Sequence, residues 1–219
     1  MQILEIELAT NNIDKTETFY TEILGLKPKS KSQDSISFST GESILTFVKS
    51  DVKNPTYHFA FNIPCNKLED AISWTSARLG LIKIKENEVV ADFKTWNAKS
   101  IYFCDNNGNI LEFIARFNLE NKSEKPFDIN SIESISEIGI VTENPQEFAE
   151  KLITEKHLSH FKNGAESEKF SILGDDNGLL IIVKTNRNWY PTEHPAKRFY
   201  TKIKIKSNGI ISGIIINAD

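Results

Sequence analysis

The sequence predicts an α+β protein built from repeated βαβββ units, and three observations point there. Runs that alternate apolar and polar residues are short and numerous, as strands are. Three of them are each followed by a segment of helical period and then by further strand-like runs. Tight-turn chemistry, Gly41-Glu42 and Asn106-Asn107-Gly108, joins neighbouring runs, because Gly and Asn tolerate the positive φ such reversals need.

The first unit spans residues 1–50. ILEIELA (residues 3–9) alternates like a strand, and Asn11 and Asn12 offer helix caps. Phe19, Ile23 and the Leu24/Leu26 pair then recur at helical spacing until Gly25, and SISFST and SILTFVKS follow as strands. In the second unit, residues 57–118, YHFAFNI is the first strand. Its helix carries Leu68, Ile72 and Leu79 and ends at Gly80. Strand candidates lie near residue 83 and at EVVADF, SIYFC and NILEFIAR. A polar linker, residues 119–131, precedes a degenerate third unit at residues 132–219. There SEIGIVT reads as a strand, Pro145 takes a first-turn helix position, and Phe148, Leu152 and Ile153 form an apolar stripe. KFSILGD, GLLIIVK and YTKIKIK complete it, with GIISGIIIN as an added strand.

Each unit lays its helix across one face of a small sheet, so two units side by side curl their free faces into a cleft. The first two units are expected to pair in this way. The third has no mate in the chain, which suggests a homodimer formed through it or through the tail, since an unpaired sheet edge invites association.

Composition narrows the function. The net charge is −4 and the basic residues are scattered, which excludes a nucleic-acid partner that needs a concentrated basic surface. No apolar run is long enough to span a membrane. Met1 leads directly into a strand-like run with no signal-peptide pattern, so the expected location is cytoplasmic. Cys65 and Cys104 lack CxxC spacing and read as reduced thiols. No phosphate loop, nucleotide fingerprint or GxSxG elbow is present, and no organic cofactor is expected.

The βαβββ repeat, the FY-x3-LG helix ending (Phe19, Tyr20, Leu24, Gly25), the YF-x-D-x2-GN-x2-E run (Tyr102, Phe103, Asp105, Gly108, Asn109, Glu112) and the strand-borne His58 carry a family likeness. Over residues 1–118 the chain resembles the vicinal oxygen chelate superfamily of glyoxalases, bleomycin-resistance proteins and extradiol dioxygenases. The resemblance implies a glyoxalase-type half-barrel cleft made by two units. It also implies metal ligands on the first and last strands of each unit, which here are Glu5, Thr46, His58 and Glu112.

An overlay of the units supports those positions. YHFAFN laid on LEIELA sets His58 opposite Glu5, and GNILEFIA laid on ESILTFV sets Glu112 opposite Thr46. Strand alternation puts His58, Ala60 and Asn62 on one face and Phe59, Phe61 and Ile63 on the other. The expected metal set is therefore Glu5, His58 and Glu112, suited to one divalent Fe, Mn, Ni or Zn ion. Thr46 departs from the carboxylate that glyoxalases tend to carry there, which leaves Glu7 as the substitute base, with Tyr102 as a second proton-transfer group. A metal-free account pairs Glu5 and Glu112 with Lys99 or Arg116. The third unit, with Glu137 near the His58 position but Ile182 at that of Glu112, is read as having no site.

Asn97 and Lys99 are candidate substrate contacts at the cleft mouth, and Thr46 and Trp189 complete the expected substrate-binding set. The loop 188–196 carries Trp189 among aromatic and Pro residues and is expected to fold over a cleft. The leading reading is a metal-dependent lyase or dioxygenase acting on a small molecule with vicinal oxygens. Its rivals are a metal-free ligand-binding protein of the bleomycin-resistance kind and a structural protein with a vestigial cleft.

Overall fold

The computed structural model describes residues 1–218 and consists mostly of strands. The first unit contains β1 (Gln2–Thr10), α1 (Ile13–Thr18) continued by a π-type turn (Phe19–Ile23), β2 (Pro28–Lys31), β3 (Ser35–Thr40) and β4 (Ser43–Lys49). The second contains β5 (His58–Ile63), α2 (Leu68–Ser76), β6 (Val90–Phe93), β7 (Ala98–Cys104) and β8 (Ile110–Arg116). Then come β9 (Ser134–Thr142), α3 (Pro145–Lys156), β10 (Phe170–Asp175) and β11 (Gly178–Lys184), and a hairpin of β12 (Thr201–Ser207) and β13 (Ile210–Ile216). The α+β class agrees with the sequence reading. The strand expected near residue 83 is reduced to a bridge from Ile82 to Tyr102.

The sheet is open, with strand order β2-β3-β4-β1-β9-β5-β8-β7-β6; β11 and β10 branch from β9, and β12 and β13 from β1. This order corrects the expected pairing of units. The neighbour of β5 is β9, in antiparallel register, whereas β1 meets β9 only at Ile3 and Ile135. Strand chemistry explains the choice. All but the two ends of β9 is buried, as a central strand requires. YTKIKIK leaves the third unit instead and pairs β12 with β1, where Lys204 faces Glu5 and Lys202 faces Glu7 across the ladder. Opposite charges directly across a ladder favour that pairing.

The helices cover one face of the sheet. Phe59, Phe61, Ile101, Phe103, Leu111 and Phe113 are fully buried in the main core on that side. Their strand neighbours point the other way and build the cleft.

The DNNGN turn is structural. Asp105 Oδ1 accepts from the backbone N–H groups of Asn107 (2.8 Å) and Asn109 (2.9 Å), and Gly108 closes the turn at φ +80. Its Oδ2 accepts from the Tyr20 hydroxyl at 2.8 Å and from Asn109 Nδ2 at 2.7 Å, tying the first helix to the second unit. Tyr20→Phe should therefore cost about 2 kcal/mol of unfolding free energy, the worth of a buried hydrogen bond to a carboxylate. Denaturant titration should show the midpoint falling with little change in slope.

Candidate metal centre

Three strands place the site. Ala60 on β5 stands in register with Glu112 on β8 to one side and with Glu137 on β9 to the other. All three side chains rise from the same face, and the fully buried methyl of Ala60 leaves the two carboxylates room to converge above it. His58, two residues earlier on β5, shares that face. Ligand atoms of His58, Glu112 and Glu137 all lie within 4.8 Å of one another, and all three residues are buried.

The imidazole is set for coordination. His58 Nδ1 lies 3.1 Å from the Ile110 carbonyl, a bond it can make only as the donor, so Nε2 carries the free lone pair. Nε2 points at Glu112, with Oε2 at 3.6 Å. Burial, with help from the nearby Arg187 charge, lowers the His58 pKa to about 4 against the pull of the Ile110 bond, so the ring is neutral near pH 7. Burial and the charge of Glu137 push the Glu112 carboxyl well above the usual carboxylate range, with Ser100, Arg116 and Tyr102 opposing. Glu112 Oε1 has no hydrogen-bond partner among the described residues. Glu137 accepts a short bond from Arg116 Nη2, and Arg116, itself wholly buried, also bonds Ser136 through Nε at 3.1 Å and faces Asp176 at 3.5 Å. One guanidinium thus stands against two buried carboxylates and the partly buried Asp176. A neutral imidazole, a carboxyl oxygen without a partner and that excess of acid form a donor set that suits a divalent cation.

The family model for the glyoxalase/bleomycin resistance protein/dioxygenase superfamily matches residues 2–113. The chain belongs to this superfamily. Among curated relatives it is 33% identical over 120 residues to metallothiol transferase FosB of Staphylococcus haemolyticus, and 32% identical to FosB of Staphylococcus epidermidis. Each alignment covers 50% of this chain and 80% of the relative. A putative dioxygenase from Bacillus subtilis superposes with a TM-score of 0.59, covering 98% of this chain and 84% of its own at 14% identity. A mutant glyoxalase I from Zea mays gives a TM-score of 0.55 over 89% of this chain and 70% of its own at 13% identity. At such identities these structures speak for the fold alone.

Within this superfamily scaffold the unit overlay keeps its register. Glu7 pairs with Thr46 on β4 as Ala60 pairs with Glu112 on β8, so Glu5 does occupy the place of His58 and Thr46 that of Glu112. The unit containing them has a different mate, however, and Glu5 and Glu7 line a second cleft beside β12 and β13. Glu5 accepts from the Thr46 hydroxyl at 3.1 Å, and Thr46 also meets Ser37 Oγ at 3.0 Å. Glu7 accepts from the Tyr200 hydroxyl at 2.5 Å and lies 3.8 Å from Lys202 Nζ. Glu5, Glu7 and Thr46 are thus engaged by lysines and hydroxyls, away from His58. The His58 site takes its second acid, and third candidate ligand, from Glu137, and the third unit supplies one wall of it.

Glu137 lies beyond the span matched by the superfamily model, but it occupies the His58 position of its own unit. Register also corrects the partner position. Ile181 pairs with Gly139 as Glu112 pairs with Ala60, so Ile181 stands in the Glu112 place and lines the cleft, while Ile182 packs into the core. A shift of one residue along a strand exchanges the two faces.

Tyr102 lines the site beside His58, with ring centroids 6.2 Å apart, and burial keeps its phenol protonated. Trp189 is 3% exposed, lies 5.5 Å from the His58 ring, and comes from the loop that was expected to cover a cleft. Gly139 makes its place: a Cβ there would meet the indole at 2.4 Å. Asn97 and Lys99 turn away. Asn97 donates to Asn118 Oδ1 at 2.8 Å, and Lys99, on the strand face opposite Ser100 and Tyr102, lies 4.0 Å from Asp92. Among the described residues no helix is long and apolar enough to cross a membrane.

The lowered His58 pKa has a stability consequence. Between pH 6.5 and about 4 the unfolded chain holds a proton on this ring that the folded chain lacks, so folding weakens as pH falls through that window. Thermal melts of chelator-treated protein should show the loss, up to about 3 kcal/mol near pH 4, and His58→Gln should remove that part of the slope. Identical pH profiles for the two proteins would sink the assignment of a buried neutral ring.

Proposed function

We propose that the chain is a metal-dependent enzyme of glyoxalase type, with His58, Glu112 and Glu137 holding one divalent Fe, Mn, Ni or Zn ion. The observation that carries this reading is the convergence of a lone-pair-bearing imidazole nitrogen and two buried carboxylates, one with an unpartnered oxygen. Three protein ligands leave coordination positions free, and a metal bound there would act as a Lewis acid on two adjacent oxygens of a small substrate. His58 and the carboxylates orient that centre, and Ile110 fixes the ring through Nδ1. Tyr102 Oη, protonated and beside Glu112, is the group that would give a proton to a reacting oxygen. Burial and the neighbouring Glu137 raise the Glu112 pKa, and a bound cation would draw the group back toward its carboxylate form. Trp189 and Trp96 line the cleft, and their rings would limit water there.

The superfamily's description spans glyoxalases and dioxygenases, and a lyase or dioxygenase reaction on vicinal oxygens is the working class, with the thiol transfer named for the FosB relatives as a further candidate. The test is turnover of dicarbonyls and catechols by metal-loaded protein, against a His58→Ala/Glu112→Ala double variant. Activity that needs both the metal and these side chains supports the reading; equal activity in the double variant rejects it. The Arg116–Glu137 bond favours one alternative, a metal-free sequestering protein, because it already balances one carboxylate. Ligand-induced stabilisation of a chain that takes up no metal would favour that alternative. We further propose that β13, an edge strand with Ile210, Ile211 and Ile215 exposed, meets a second copy.

A further inference from the structure

The cleft over His58 encloses about 240 Å³, enough for a small molecule, and its walls are chiefly flat rings. Phe93 and Trp96 stack at 5.3 Å with 23° between their planes, and Tyr190 meets Phe93 edge-on at 6.0 Å and Tyr102 edge-on at 5.8 Å. Tyr190 is 46% exposed and stands at the rim. A lining made of planar rings accepts a further planar ring, by offset or edge-to-face contact, better than a branched aliphatic group.

The charges along this lining are asymmetric. Glu112 and Glu137 are the acids, His58 is neutral, and among the described residues Arg187 is the one cation that lines the cleft. The Arg187 guanidinium lies 4.8 Å from the centre of the Phe170 ring and donates only a long bond, 3.4 Å, to the Asn188 carbonyl. Among the described residues it has no carboxylate partner, although it is about half buried and its charge is felt at His58. Arg116, the other guanidinium nearby, is wholly buried and turned to Glu137, Ser136 and Asp176. A partly buried guanidinium over a ring, lining a cavity and making only one long bond, is suited to a planar anion. Trp189 Nε1, buried and without a partner, adds a neutral donor to the same lining.

We propose that the ligand of this cleft is a small single-ring aromatic carboxylate. Its ring lies among Phe93, Trp96 and Tyr190, its carboxylate meets Arg187, and its far edge points to His58, Glu112 and Glu137. The inference deepens the functional reading by naming the substrate class, and rests on it only for what happens at that far edge. Anion anchoring at Arg187 needs no metal.

The test is therefore run first on chelator-treated protein. Benzoate, benzyl alcohol, cyclohexanecarboxylate and acetate are titrated in turn while tryptophan fluorescence is followed, since Trp96 and Trp189 line the cleft. Benzoate should saturate the signal at concentrations about tenfold or more below the other three, a spread matching one charge-assisted contact or one stacked ring. Arg187→Gln should weaken benzoate by about tenfold or more and leave benzyl alcohol unchanged. Benzyl alcohol or acetate binding as well as benzoate, or benzoate indifferent to Arg187→Gln, would overturn the proposal. If the variant melts early, the ranking of the four ligands on the wild-type protein decides alone. Metal uptake is measured separately by titration with Mn(II) or Zn(II). A chain that binds benzoate through Arg187 but takes up no metal refutes the enzyme reading and keeps this one; uptake without benzoate selectivity does the reverse.

Discussion

Glu137→Gln is expected to lower divalent-metal affinity by at least about 100-fold, whereas Glu5→Gln should leave it unchanged. Losing a group that merely orients a ligand already costs about 10–100-fold, so losing a ligand itself should cost at least the upper end. Gln keeps the shape of Glu137 and can still accept from Arg116, so the variant removes charge and donor strength while disturbing the packing little. Glu5 offers the matched control, because it holds the same place in its own unit as His58 does in the second. Its carboxylate meets Thr46, faces Lys204 across the ladder and lies in the other cleft. Isothermal titration with Mn(II) or Zn(II) reads both variants. Equal losses in the two would return Glu5 to the ligand set; loss in Glu5→Gln alone would place the metal in the first unit's cleft.

Arg116→Met should destabilise the metal-free protein by about 3–5 kcal/mol, the usual consequence of removing one partner from a buried ion pair. Arg116 is wholly buried, and Glu137 is 3% exposed, so the stranded carboxylate cannot reach water. The same substitution makes a specific prediction for metal. With the guanidinium gone, a divalent cation becomes the sole counter-charge for Glu112 and Glu137, so saturating metal should raise the variant's melting temperature by more than it raises the wild type's. Denaturant titration and thermal melts with and without metal measure both effects. A metal-induced rise no larger than in the wild type would mean that Arg116 and the cation do not share those carboxylates.

The element order was legible because each signal was local. Alternation in YHFAFNI and NILEFIAR marks strands, Pro145 opens a helix, and Asn107-Gly108 marks a turn that Asp105 then cements. His58 and Glu112 were legible as a pair for the same reason: they sit on neighbouring strands of one unit, and period-2 alternation gives their common face. What could not be read was which unit faces which. That depends on contacts between distant segments, and here two ladders decide it: β12 with β1, where lysines oppose glutamates, and β9 with β5. Once β9 stands beside β5, Glu137 enters the site and Glu5, Glu7 and Thr46 leave it. The register of β11 against β9 then settles Ile181 rather than Ile182 as the cleft residue. Arg187 and Tyr190 lie in and next to a loop whose aromatic content was visible but whose target was not, because a loop's path over a sheet leaves no periodic trace.

The central claim is that His58, Glu112 and Glu137 form one metal centre. The most direct measurement is the metal content of protein purified without chelator or affinity tag, beside the His58→Ala/Glu112→Ala variant, followed by titration of both with Mn, Fe, Ni and Zn. The account predicts about one transition metal per chain in the native protein and none in the variant. A native chain that is empty and takes up none of the four metals would contradict it, and the cluster would then be a buried hydrogen-bonded network around Arg116.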